Sequence, residues 1–376
     1  MTQIFLVRHG EAEGNLYRRA QGQTDVSLTA EGKRQLPYLT ARFSAVKLDA
    51  AYASDLRRAY DTALACVGNK PLTVIREPRL REMGFGAWEN HPWGEINRFD
   101  TAQKTAFLFD PAHFSVPGCE NFYDVQSRTV EAMREIGERH DGQNVLVACH
   151  GMVIRIFFAW LRGVPSERID EVDFVDNTAV SLLQYENGSF TLAWENDTAH
   201  LPKAPWTPVR DTKWKKKGHS SDLWYRPFDL AHEKKRYTDC YRDAWRTAHG
   251  TEAGFDAQGC YLAAKQYAAA SPMAVQCAMC GDSFAGVLTL DERRGADRGY
   301  GWIAFLYVVP EMRGKRCGIQ LVGSAVMRFR ELGRSAVRLT VAAENDALGF
   351  YEWAGFRRVG TTMGALGELY IMELSI

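Results

Sequence analysis

Short apolar runs with strand propensity recur along this chain, and several end on charged or polar residues just before a stretch of helical periodicity. The first, residues 4–7, runs straight into Arg8-His9-Gly10. A polar loop reaches Leu28, and Thr29 then opens a helix with Glu31 and Gly32 early in it. Residues 50–53 predict a second strand, followed by Ser54-Asp55 as a helix start with Arg57 and Arg58 in the first turn. Residues 80–89 form a glycine-broken loop with one acid, Glu82, among apolar neighbours, and 90–122 are variable and rich in aromatics. A helix over about 123–139 leads to a third buried strand, 144–148, which ends at Cys149-His150-Gly151 as a helix departs. A strand pair over about 178–195, turning at Asn187-Gly188, completes this half.

The rhythm then breaks. Pro202, Pro205 and Pro208, a basic run at 213–217 and Gly218-His219-Ser220-Ser221 read as a linker. Beyond it come a helix over about 231–248, a second capped by Asp256 and running to Ala270, and a hairpin of strands 273–280 and 284–290. A long apolar strand, 300–309, feeds a loop with Arg313, Gly314, Lys315, Arg316, Cys317, Gly318 and Ile319, then a helix to Leu332. Residues 336–341, a short helix carrying Tyr351 and closed by Gly355, and a hairpin of 356–361 and 369–374 finish the chain.

With 376 residues, two domains are expected. Lys plus Arg and Asp plus Glu both number 46, so no global field points to nucleic acid or a membrane surface. No apolar run is long enough to cross a bilayer, and candidate site residues begin at position 8. Of eight cysteines only Cys277 and Cys280 have metal-like spacing, without a second pair or a nearby histidine. No metal, no nucleic acid and no membrane partner are expected. A cytoplasmic location is expected, and homo-oligomers are left open.

Chemistry concentrates where strands end, the edge at which open α/β sheets bind ligands. His9 can act as a nucleophile there, and the adjacent Arg8 presents a rigid fork of donors to a tetrahedral anion. Arg58 adds a guanidinium beside a helix amino end that already favours anions, and His150 arrives as His9 does. Burial of Glu82 would raise its pKa toward a proton donor's range. In the second half, a strand feeding a glycine-containing basic loop and a helix start forms a cradle for a pyrophosphate. The Gly-Lys-Ser/Thr order of a Walker loop is absent.

The residues VRHGEAEGN with N-x-x-x-R-x-Q-G, then SDLRRAYDTA, LREMGFGAWEN and VACHGMVIR, resemble the histidine phosphatase superfamily, also called phosphoglycerate mutase-like, over about 1–200. The resemblance implies a three-layer α/β/α fold and a phosphohistidine formed on His9. It implies phosphoryl binding by Arg8, Arg58 and His150, with Gly151 following, and proton transfer by Glu82. Asn15 and the backbone near Gln21 and Gly22 would line the phosphate pocket, and no cofactor is required. The loop form Glu-x-x-Phe-Gly-x-Trp looks like the phosphatase branch, so hydrolysis is favoured over a mutase reaction, which stays as the alternative. Ala12 and Pro117-Gly118-Cys119-Glu120-Asn121 depart from the usual pattern, and the second bears on substrate contacts.

VVPEMRGKRCGIQL and AAENDALGFYEWAGF resemble the Gcn5-related N-acetyltransferase (GNAT) α+β fold, over about 222–376. That resemblance implies acetyl-CoA held by backbone near Val308 and Val309 and by amides from Arg313 to Ile319. Asn345 would contact the pantetheine arm or merely cap a helix. Tyr351 would protonate the departing thiolate or merely fill the core. Arg316 stands where the family usually has glycine, so it is either strained or an extra cation for the phosphates. The domains are expected at 1–200 and 222–376, with 201–221 as linker. The function expected is a phosphomonoesterase joined to an N-acetyltransferase acting on a small amine, with a non-catalytic acyl-CoA-binding second domain as the rival.

Overall fold

The structure is a computed structural model and describes residues 1–202 and 221–376. The expected linker therefore lies almost wholly outside the described residues. Two compact units emerge: one holds 1–15, 19–91 and 99–202, the other 221–376 with two short segments, 16–18 and 92–98.

The first unit begins with β1 (Thr2–Arg8), the start of the short α1 (Glu13–Tyr17), whose last two residues belong to the second unit, α2 (Ala30–Phe43) and β2 (Ala50–Ala53). It continues with α3 (Arg57–Val67), β3 (Val74–Arg76) and α5 (Thr101–Phe109), while the intervening α4 (Trp93–Phe99) belongs, except for Phe99, to the second unit. Then come α6 (Phe122–Arg139), β4 (Asn144–Cys149), α7 (Gly151–Leu161) and the antiparallel pair β5 (Val180–Glu186) and β6 (Ser189–Asp197). The sheet order is β3-β2-β4-β1-β5-β6. Strands β3, β2, β4 and β1 are mutually parallel, and β5 runs against β1.

Alternation divides the central strands between two faces. Val7, Ala51, Ala53, Leu146 and Ala148 pack with Leu39, Phe43, Ala63 and Cys66 of α2 and α3. Strands buried on both faces read as continuous apolar runs, which is why 4–7 and 144–148 stand out in the sequence. Register does the rest. Arg8 pairs with Cys149 and Ala53 with Ala148, so three adjacent strands end level and deliver His9, His150 and Ser54 to one sheet edge.

The second unit contains β7 (Trp224–Pro227), α8 (Lys234–His249), α9 (Ala257–Ala270), β8 (Val275–Cys280) and β9 (Ser283–Asp291). After these come β10 (Tyr300–Val308), α10 (Cys317–Glu331), β11 (Ala336–Ala342), α11 (Ala347–Trp353), β12 (Arg357–Gly364) and β13 (Gly367–Ser375). The order β12-β13-β11-β10-β9-β8-β7 is antiparallel throughout except at β10 and β11. Their parallel ladder covers only Tyr300–Trp302 against Ala336–Arg338. Beyond it β10 stays with β9 and β11 with β13, so the two strands fork toward their carboxyl ends. Ile319, Val322, Ala325, Val326 and Phe329 of α10 cover one face of this sheet, and Tyr237 and Ala264 of α8 and α9 cover the other. No helix among the described residues is long and apolar enough to cross a membrane.

Candidate active sites

Every polar side chain that the strand ends bring together in the first unit is buried: Arg8, His9, Ser54, Arg58, Glu82 and His150. Buried polar groups must be hydrogen-bonded or must await a ligand, so the partners of each decide what it can do. His9 donates from Nδ1 to the carbonyl of Gly10 at 2.7 Å, which leaves Nε2 without a proton and with its lone pair available. The ring is held from below. The amide of Gly10 donates to Thr62 Oγ1 at 3.0 Å, and Asn177 donates to the His9 carbonyl at 3.0 Å. Thr178, a β-branched residue at a φ of 60°, reaches the carbonyls of Arg8 and His9 with its N–H.

The His9 and His150 rings lie 5.2 Å apart, tilted by 56°. Burial, and after it the Arg58 guanidinium, hold both imidazoles well below their ordinary range, so both are neutral. Arg58 donates to the carbonyls of Gly22 at 2.6 Å and Thr24 at 3.0 Å, and its burial brings it down to about 10. Arg8 donates to the Val175 carbonyl. A Cβ on Gly151 would come within 3.1 Å of the Arg8 guanidinium, so the glycine that opens α7 makes room for the cation.

Glu82 accepts from the amides of Met152 and Val153, both at 3.1 Å in the first turn of α7, and from Met83 at 3.0 Å. Burial nevertheless raises its pKa, outweighing those amides. Its loop is clamped. Arg128 donates to the carbonyls of Arg79, Arg81 and Glu82 at 2.6, 2.7 and 3.2 Å, and Glu120 bridges Arg128, Gln23 and the Gly84 amide. Glu120 thus braces the loop that carries Glu82.

The outer loop is engaged within itself. Gln21 accepts from the Gly14 amide at 3.1 Å, and the Gly22 amide donates to Glu89 at 3.2 Å while its carbonyl holds Arg58. Glu89 also gathers the amides of Gln23, Thr24 and Phe85. Within the Gln21–Gly22 stretch, expected to line the phosphate pocket, the Gly22 carbonyl holds Arg58. Asn15 accepts from Ala12 and Asn177 through Oδ1. The sequence assigns no site role to Ser54, Thr62, Glu89, Arg128 or Asn177, and marks Glu120 only as part of the departing stretch 117–121. Only Ser54, directly after the β2 run, carried a signal, and it was read as a helix start.

In the second unit, Arg313 through Arg316 are exposed and Cys317 is buried at the start of α10. Arg316 sits at φ 62°, ψ 20°, the left-handed conformation, and Gly314 at φ 71°. Lys315 and Arg316 put two cations at a helix amino end. Other expected contacts are already engaged within the protein. The Val309 amide donates to Ala285 at 3.0 Å, and Arg313 donates to the Val308 carbonyl at 3.1 Å and to Asp243 at 3.2 Å. Ile319 is core, and Gly318 lies against the Phe350 ring. Asn345 Oδ1 accepts from the amide of Ala347, the first residue of α11, at 2.9 Å, while Asp346 occupies the cap position. Tyr351, 8% exposed, packs against Phe350 and Phe356, and burial pushes its hydroxyl up to about 12. Among the described residues no group of three or more His, Cys, Asp or Glu is placed to hold a metal.

Comparison with known proteins follows the same division. Residues 4–198 match the histidine phosphatase superfamily (branch 1), and residues 251–370 match an acetyltransferase (GNAT) domain. Phosphoserine phosphatase 1 of Hydrogenobacter thermophilus is 31% identical over 201 residues, covering 54% of this chain and 95% of its own. Phosphoglycerate mutase-like protein 4 of Arabidopsis thaliana is 31% identical over 205 residues, 53% of this chain and 87% of its own. The solved structure of Bacillus stearothermophilus YhfR covers 53% of this chain and 99% of that one, at 34% identity and a TM-score of 0.51.

Proposed function

From a chain that belongs to the histidine phosphatase superfamily and carries a GNAT acetyltransferase domain after it, we infer a bifunctional enzyme. Its first unit hydrolyses phosphomonoesters through a phosphohistidine. The observation that carries this reading is the neutral His9 ring, its Nδ1 committed to Gly10 and its Nε2 lone pair free, 5.2 Å from His150 and flanked by Arg8 and Arg58.

In the first step Nε2 of His9 bonds to phosphorus as the ester P–O bond breaks, and Glu82 gives its proton to the leaving alkoxide. The raised pKa of Glu82 keeps that proton at hand. In the second step the Glu82 carboxylate takes a proton from water, whose oxygen attacks phosphorus as the N–P bond breaks. Inorganic phosphate leaves and Glu82 is protonated again. Arg8, Arg58 and His150 hold the equatorial oxygens, where charge spreads in the transition state. The phosphoserine phosphatase among the relatives favours small phosphomonoesters as substrates. Incubation with a phosphomonoester and acid-sensitive trapping should leave one labile phosphate per chain. His9→Ala should abolish both the label and turnover; normal turnover by that variant would end the reading.

The second unit transfers an acetyl group to a small amine. The exposed basic loop, the amino end of α10 and the fork between β10 and β11 fit acetyl-CoA, with Lys315, Arg316 and the amides around Cys317 toward its phosphates. Bound acetyl-CoA supplies an activated thioester. A second reading, acyl-CoA binding without transfer, is favoured by the packing of Tyr351 in the core. Thiol release with a panel of amines separates the two.

A further inference from the structure

His150 has one ring nitrogen whose partner the phosphatase mechanism does not explain. Nε2 lies 2.8 Å from Ser54 Oγ, and Nδ1 is buried with no hydrogen-bond partner in the protein. Both residues are 0% exposed, so water does not settle which nitrogen carries the proton.

The bonding around Ser54 does settle it. Its backbone amide is fixed to the Ala148 carbonyl at 2.9 Å, continuing the β2–β4 ladder. Its Oγ accepts from the Leu56 amide at 3.3 Å. A hydroxyl has a single hydrogen to give. If the ring donated from Nε2–H, Oγ would accept twice and its own hydrogen would be buried without an acceptor, a costly arrangement. If Oγ–H donates to Nε2, both groups are satisfied and the ring proton must sit on Nδ1. Burial, and after it the Arg58 guanidinium, keep the ring neutral, so it carries one proton on one of its two nitrogens.

We propose that Ser54 is a positioning residue that holds His150 as the Nδ1–H tautomer, so that a neutral ring presents an N–H donor to a phosphoryl oxygen. This deepens the phosphatase reading and rests on it for its purpose. The tautomer itself can be read without any substrate. A His150 with its proton on Nε2 would turn a lone pair toward an oxygen that also carries lone pairs, and the contact would repel. Three level strand ends thus act in series: β2 supplies the hydroxyl, β4 the ring it orients, and β1 the nucleophile.

Long-range proton–nitrogen NMR of the full chain with labelled histidines, without substrate at about pH 7, should show a pyrrole-like Nδ1 and a pyridine-like Nε2 for His150. Ser54→Ala should shift that ring toward Nε2–H, and Ser54→Thr, which keeps the hydroxyl, should not. Ser54→Ala should also lower kcat/KM about 5- to 30-fold. In a His150→Gln background the same change should alter the residual rate by less than about twofold, since the residue it acts through is gone. An Nε2–H ring in the wild type would overturn the proposal, and so would an unchanged tautomer in Ser54→Ala or equal losses in both backgrounds. The wild-type spectrum decides even if a variant fails to fold. If no phosphatase substrate is found, the spectrum still stands apart from that failure.

Discussion

At the ends of β1, β2 and β4 the first unit buries arginines, histidines and a glutamate and holds each through neighbouring groups, with Nδ1 of His150 left without a protein partner, while the second unit leaves Arg313 to Arg316 exposed on a loop. The first arrangement is made of side chains. Each is costly to bury, so the backbone around it is committed to holding it: Gly10 to His9, Gly22 to Arg58, Met152 to Glu82. The second is made of backbone, a helix amino end and a fork between strands, with cations on the rim. Substitutions should therefore act on rate in the first unit, and on local stability and ligand affinity in the second.

The sharpest test is Glu82→Ala. If Glu82 gives the leaving group its proton, removing it while leaving the guanidiniums should lower kcat by about 10²- to 10⁴-fold with much less change in KM. A loss confined to KM would mean that the buried carboxyl serves binding only. A smaller effect is expected from pH. The folded-state pKa values of His9 and His150 lie below the unfolded value of 6.5, so their contribution is present above about pH 6.5 and is lost as pH falls from there. The slope is up to about 1.4 kcal/mol per pH unit for each ring. Glu82 works oppositely: its raised pKa contributes most below 4.5 and loses that contribution as pH rises through the folded value. Denaturant titrations between pH 4 and 8 should show wild-type stability falling below about pH 6.5, with a shallower fall in His9→Ala. Gly151→Ala tests the close approach at α7. The added methyl must displace the Arg8 guanidinium by a few tenths of an ångström, which should lower kcat/KM about tenfold with little change in stability.

How much of this the sequence revealed depends on whether the signal lay in residue type. The runs at 4–7, 50–53 and 144–148 and the residues after them were legible because doubly buried strands are apolar throughout and their ends carry unusual side chains. The strands of the second unit and its basic loop were legible in the same way, but the fork between β10 and β11 was not, because it depends on which neighbours each strand keeps. By contrast β3 is three residues long with only Val74 buried, and β7 is an edge strand closed by Pro227, so neither left a pattern. The stretch 90–122 shows many aromatics but no clear period. Part of it forms α4 and α5, and Phe107 and Phe114 bury themselves against Phe85 and Trp88, with Trp88 and Phe114 ring centres 5.0 Å apart. Glu89 and Glu120 act on backbone amides distant in sequence, and no local pattern marks such a partner.

The gentlest test returns to the exposed loop, where the strained residue foreseen from the sequence is present. Arg316 in the left-handed region costs about 1–2 kcal/mol relative to its ordinary conformation. Glycine escapes that cost but loses about 0.5–1 kcal/mol more chain entropy on folding, so Arg316→Gly should stabilise the second unit by about 0.5–1 kcal/mol. Strain that persists at an exposed position points to a use for the side chain. If the guanidinium reaches the phosphates of acetyl-CoA, calorimetry should show weaker binding by Arg316→Gly at low salt, with the difference shrinking as salt screens the cation. A variant that is more stable and binds acetyl-CoA equally at every ionic strength would reduce Arg316 to a tolerated defect. The cradle would then rest on Lys315 and the amides of α10 alone.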